Sequence, residues 1–139
     1  MHGTIAAMER TYTTPLLDKL GVRPGARVGL VGVDEGWFRE LLAGRTADVT
    51  AGPPLPDTDL VFLAADSSAE LAALPSLADC LRPNGAIWVV SRKGKAATLR
   101  DVEVIAAAKG AGLVDNKVAS FSETHTALRL VIPVARRPR

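Results

Sequence analysis

Two short stretches hold residues whose types and spacing could do chemistry. The first is RVGLVGVDEGWF, residues 27–38. A short apolar strand runs into glycines and then into a helix, the rhythm of a nucleotide-binding turn. Gly32, Asp34, Glu35, Gly36 and Trp37 define its candidate cofactor cleft. A helix starting at Gly36 points about half a positive charge at whatever lies before it, an end that dinucleotide proteins use for pyrophosphate. Here Asp34 and Glu35 already occupy that end and repel phosphate. Either they tune a pocket for a cation, an amine or a sulfonium, or Asp34 caps the helix and Glu35 complements its dipole. The second role is the more frequent one for acids at helix starts. A phosphate-bearing nicotinamide or flavin is the ligand least suited to this turn. Trp37 and Phe38 point in different directions on a helix, so one is expected on the sheet and the other toward the cleft or a partner.

The second stretch is Ser91-Arg92-Lys93-Gly94-Lys95. It follows an apolar central strand and so falls at the carboxyl edge, where open α/β sheets bind ligands. Ser91, Arg92, Lys93 and Lys95 are candidates to hold an anion or attract an acidic partner. The competing reading is a solvated loop, the ordinary state of Lys and Arg. Acid and base on one rim also suit a zwitterion. No nucleophile elbow is present, and His2, His125 and the single Cys80 are too scattered for a metal cluster. No catalytic or metal-ligating set is expected. His125 reads as a surface turn residue, Cys80 as a small buried hydrophobe, and Asp115-Asn116-Lys117 as a structural turn or a polar rim.

The elements that must position these residues alternate. Pro15 to Gly21 reads as a short helix with Thr14 as its cap. Ala26–Val33 is the first core strand, Gly36–Leu42 a helix ended by Gly44, and Ala47–Ala51 a short strand. The Pro-rich run GPPLPDTD is a rigid loop. Leu60–Ala65 and Ala86–Val90 are apolar on both faces, as strands covered on both sides are. A helix is expected from Asp66-Ser67-Ser68 to about Arg82, broken or kinked at Pro75, then a tight turn at Pro83-Asn84-Gly85. Thr98–Ala111 has helical spacing, with Val102, Ile105, Ala106 and Leu113 near one face. The remainder alternates like two strands joined near Glu123–Thr126. The expected fold class is α/β: a three-layer sandwich around a mostly parallel sheet of about six strands, ending in an antiparallel β-hairpin.

At 139 residues the chain is expected to be a single domain, 1–139, with an irregular start over 1–12 and a basic tail over 135–139. The net charge of +2 is more than accounted for by Arg136, Arg137 and Arg139. No basic stripe with interleaved aromatics points to nucleic acid. No apolar run reaches membrane-spanning length, and MHGTIAAMERTY lacks a signal peptide's apolar region. A cytoplasmic location is the default expectation.

The order strand, helix, strand, strand, helix, strand, helix, hairpin resembles the Rossmann-type methyltransferase fold over residues 25–134. LADCLRPNGAIWVVSRKGK resembles the segment leading into that fold's fifth strand, and AKGAGLVDNKV the approach to its hairpin. TPLLDKLGVRPGARV and GLVDNKVASFSETHTALRLV resemble a family of short bacterial proteins of unknown function, whose fold is a reduced, degenerate version of the S-adenosylmethionine methyltransferase one. The resemblance puts Gly32 on the first glycine of the cofactor motif, Asp34 on the middle one and Gly36 on the last. It puts Leu30 where an acid holds the donor's amino group, and Gly52-Pro53 where an acid holds the ribose. About eight residues separate the second and third strands, too few for the helix, strand and helix of the full fold.

Two charge-assisted hydrogen bonds lost would cost roughly 3–6 kcal/mol, about 10²–10⁴ in affinity. The expectation is therefore a non-catalytic or weakly small-molecule-binding domain, or an interaction domain, on a degenerate methyltransferase-like scaffold. No cofactor is expected in the usual pose, and the partners are a small molecule at the carboxyl edge and a second copy of the chain. The alternative is an S-adenosylmethionine-dependent methyltransferase, or another small-molecule enzyme, using the Gly32–Gly36 turn in an altered pose. A third reading is an anion-binding regulator acting through Arg92–Lys95.

Overall fold

The computed structural model describes residues 15–137. The expected irregular start over 1–12, Thr14 as a cap and the last two residues of the tail lie outside the described residues. Helix α1 covers 15–20 and buries Leu17 and Leu20. Strand β1 (Val28–Val31) leads to α2 (Gly36–Ala43), β2 (Val49–Ala51) and β3 (Thr58–Ala64). Then come α3 (Leu74–Asp79), β4 (Leu81–Arg92), α4 (Asp101–Gly110), β5 (Val114–Ser120) and β6 (His125–Val131).

One six-stranded sheet results, in the order β2-β1-β3-β4-β6-β5. Pairing is parallel from β2 through β4 and antiparallel at β4–β6 and β6–β5. The short turn after β5 leaves no chain for a crossover, so β5 and β6 pair as a hairpin. Helices cover both faces, as two apolar faces on each central strand require. Leu60 and Phe62 of β3 with Trp88 and Val90 of β4 meet Leu17 and Leu20 of α1 and Phe38 and Leu42 of α2. Val61, Leu63, Ile87 and Val89 face the other way, onto Leu74 and Leu77 of α3 and Val104 and Ala108 of α4. Buried Trp88 keeps its indole N–H satisfied by donating to the Leu20 carbonyl at 2.9 Å, which pins the end of α1 to the sheet.

Several expectations are corrected. Pro83-Asn84-Gly85 is no chain-reversing turn; it lies inside β4, as a bulge between the pairs Thr58–Leu81 and Leu60–Ala86. Gly85 is required there, because a Cβ would sit 2.9 Å from the Asp59 carbonyl oxygen and 3.0 Å from that of Thr58. The helix expected from 66 is a 3-10 turn at Glu70–Ala73 followed by α3, with Pro75 in the first helical turn. Glu70 explains the delay: its carboxylate accepts from the Asp66 N–H at 2.8 Å and the Ser67 hydroxyl at 3.2 Å, closing the loop before any helix begins. Helix α4 buries Val104 and Ala108 and leaves Val102 and Ile105 exposed, so the face toward the sheet is not the one the spacing suggested. Cys80 is half-buried beside the carbonyls of Ser76 and Pro54. Asn116 is bypassed in the β5–β6 register, and Lys117 donates to the Lys19 carbonyl at 2.9 Å. The tail is docked as far as Arg137, whose Nε donates to the Ile132 carbonyl at 2.9 Å.

Candidate functional site

The carboxyl ends of β1, β3 and β4 and the turn before β6 enclose a cleft of about 510 Å³, within the size range of small-ligand pockets. Gly32 ends β1 with φ 79°, a left-handed turn a Cβ would strain and press to 3.3 Å from Ala64. The chain then lays Asp34 and Glu35 along the rim. Glu35, not Asp34, is the N-cap of α2, and no side chain caps that helix. The expectation that Asp34 caps it is therefore corrected. Both carboxylates line the cleft instead, and the first N–H groups of α2 are left to solvent or a ligand.

Phe38 and Trp37 divide the two roles expected of them. Phe38 is fully buried, while Trp37 is 44% exposed and lines the cleft. An aromatic cluster holds them. The Phe38 ring lies 4.9 Å from Phe62 and 4.7 Å from Phe121, and Trp37 lies 5.2 Å from Phe121. Such contacts are worth about 0.5–1.5 kcal/mol each beyond area burial. They tie the start of α2 to the hairpin and fix the width of the cleft.

The hairpin turn supplies the wall that sequence reasoning missed. Ser122, Glu123, Thr124 and His125 all line the cleft. The Ser122 hydroxyl accepts from the His125 N–H at 3.1 Å, and His125 Nδ1 lies 2.7 Å from Thr124 Oγ1. His125 is thus a half-buried cleft residue and not a surface turn residue. Its only sequence signal was its place in a polar turn; the pairing of Arg92 with His125 across β4–β6 is what brings it here.

The residues Ser91, Arg92, Lys93 and Lys95 do not converge. Ser91 is buried inside β4. Arg92 lines the cleft, but Asp66 engages it: the Arg92 N–H donates to Oδ1 at 2.9 Å and Nε lies 3.9 Å from Oδ2. Lys93 reaches across to the Ser120 hydroxyl at 2.8 Å, and Lys95 is exposed in a 3-10 turn. Four carboxylates, Asp34, Glu35, Asp66 and Glu123, thus line the cleft against one guanidinium, already paired. The arrangement favours a cationic ligand over an anion. Among the described residues, no group of three or more His, Cys, Asp or Glu side chains is placed to hold a metal ion. No described helix is long and apolar enough to cross a membrane.

Solved S-adenosylmethionine methyltransferases share this architecture. The N-methyltransferase NodS from Bradyrhizobium japonicum WM9 superposes with a TM-score of 0.62 at 16% identity, covering 90% of this chain and 96% of that one. A SAM-dependent methyltransferase from Aquifex aeolicus gives 0.63 at 15% identity, over 87% and 89% of the two chains. Magnesium protoporphyrin IX methyltransferase (ChlM) from Synechocystis PCC 6803, solved with bound SAM, gives 0.64 at 13%, over 88% and 77%. The chain therefore has a methyltransferase-like Rossmann fold, with a mostly parallel six-stranded sheet closed by an antiparallel pair. No protein-family model and no curated protein matches the sequence.

Proposed function

We propose that the cleft binds S-adenosylmethionine and that the protein is a methyltransferase acting on a small molecule. The observation that carries this reading is the excess of carboxylates on a ligand-sized cleft at the carboxyl edge of a methyltransferase-like sheet. The fit of the residues to the donor is partial. Gly32 gives the tight turn, and Asp34, Glu35 and Glu123 suit a sulfonium and an amino group. Leu30 is buried, and the end of β2 offers Gly52-Pro53 in place of an acid for the ribose. The donor, when bound, supplies an electrophilic methyl group carried on a positively charged sulfur.

This chain's own residues would do the rest. The carboxylate rim draws in and orients a cation. Trp37 offers a face on which a flat ring can stack. His125, steadied through Nδ1 by Thr124, is a candidate to take the proton released by an amine or hydroxyl acceptor.

A second reading has its own observation. Only residues 52–57 separate β2 from β3, and three-residue β2 is the sheet edge, so part of the cofactor wall implied by the resemblance is missing. The same cleft would then hold a cation without transferring a methyl group.

Calorimetry with S-adenosylmethionine and its demethylated product tests both readings. Their sulfur atoms differ by one unit of charge. The donor should bind several-fold tighter than the product, and Asp34→Asn with Glu35→Gln should erase that preference. Equal affinity for the two in the unaltered protein would count against the acidic cleft as donor site. Transfer of an isotopically labelled methyl group to a pool of small amines separates the enzyme from the binder.

A further inference from the structure

At the opposite edge of the sheet a second cavity, of about 460 Å³, opens where the loop after α1 meets the starts of β3 and β4 and the middle of β6. Three guanidiniums line it: Arg23, Arg82 and Arg129. The one carboxylate in the lining, Asp59, is already engaged. Its Oδ2 accepts from the Arg27 N–H at 2.8 Å, and its Oδ1 lies 3.2 Å from Arg82 Nε. Among the described residues, neither Arg23 nor Arg129 has a carboxylate within ion-pair distance.

Arg129 carries the stronger argument. It is half-buried on β6, opposite Trp88, and its side chain makes one long hydrogen bond, 3.5 Å from Nη1 to Asn116 Oδ1. Burial, and then the guanidinium of Arg137, pull its pKa below the usual arginine value. The fold therefore disfavours the charge it carries here, and an apolar side chain of similar length would avoid that cost. Partly withdrawn from water beside the cavity, its guanidinium is less screened toward an anion entering there.

We propose that this cavity is an oxyanion site in which Arg129 and Arg23, with Arg82 on the rim, take a phosphate group, either free or as the end of a small phosphomonoester. Two guanidiniums with no ion-pair partner among the described residues match a dianion in charge, and their planar forks match paired oxygens in geometry. The volume exceeds what a lone phosphate fills and lies within the range of small-ligand pockets. The site is separated from the acidic cleft by the length of the central strands, so it does not depend on the methyl-transfer reading.

Calorimetric titration of the full chain with inorganic phosphate, and separately with glycerol phosphate, at fixed ionic strength, tests the proposal. The expected result is saturable one-to-one binding that Arg129→Gln and Arg23→Gln each weaken about tenfold or more. Lys109→Gln, on the exposed end of α4, should leave it unchanged. Tighter binding of glycerol phosphate assigns the site to a phosphomonoester, and tighter binding of phosphate to the free ion. No saturable binding of either probe overturns the proposal, as does a loss at Lys109→Gln equal to that at the arginines. Arg23 is exposed, so its variant gives an answer even if Arg129→Gln fails to fold.

Discussion

The two edges of the sheet carry opposite chemistry on one scaffold. At the carboxyl edge, four carboxylates face a guanidinium that is already paired. At the amino edge, three guanidiniums line a cavity with one carboxylate, which Arg82 and the Arg27 N–H already engage. The chain as a whole is nearly balanced, at +2, so the contrast is one of placement. It teaches that the same central strands present side chains of opposite charge at their opposite ends. The loops leaving β1 and entering β6 set one sign, and the loop entering β1 and the bulge of β4 set the other.

The largest effect should strike both edges at once. Phe38 is fully buried under the cleft and touches Phe62 and Phe121. Phe38→Ala should cost about 3–5 kcal/mol of stability by chemical denaturation and weaken binding at either end through the shared core. A marked loss of S-adenosylmethionine binding with phosphate binding intact and stability unchanged would mean that the aromatic cluster serves the cleft alone. Next, Asp34→Asn with Glu35→Gln should weaken S-adenosylmethionine binding by about 2 kcal/mol, roughly thirtyfold, in the same calorimetric assay. Phosphate affinity at the amino edge should stay constant, and an equal change there would dissolve the contrast between the edges. Trp37→Ala should cost about 1 kcal/mol of ligand affinity and less of stability, because the ring is 44% exposed. Asp66→Asn should be the mildest. Its pair with Arg92 is long, at 3.9 Å, and about half-exposed, so stability should shift within about 1 kcal/mol in thermal unfolding. Releasing Arg92 should nonetheless make the cleft measurably less favourable to a cation.

The two edges were unequally legible in sequence. The strands at 60–65 and 86–90 announce themselves by being apolar on both faces, which only a doubly covered sheet tolerates. The turn at Gly32 and the acids at 34 and 35 are local, so the carboxyl edge could be sketched from one stretch of chain. What escaped was His125, since a polar turn looks the same in sequence whether it faces solvent or a cleft. The amino edge was invisible because Arg23, Arg82 and Arg129 are far apart in the chain and meet only through strand order. The buried face of α4 was misread for a related reason. Helical spacing put Val102 and Ile105 near one face, but Val104 and Ala108 are what the sheet buries. At Pro83-Asn84-Gly85 the turn chemistry is strong locally, yet β3 holds that segment in the sheet as a bulge.

The most direct measurement of the central claim is a map of backbone amide shifts while the ¹⁵N-labelled full chain is titrated with S-adenosylmethionine. The account predicts saturable shifts at Gly32, Asp34, Glu35, Trp37 and His125, with Arg23, Arg82 and Arg129 unmoved. Shifts concentrated at the three arginines, or none anywhere at saturating donor, would contradict it.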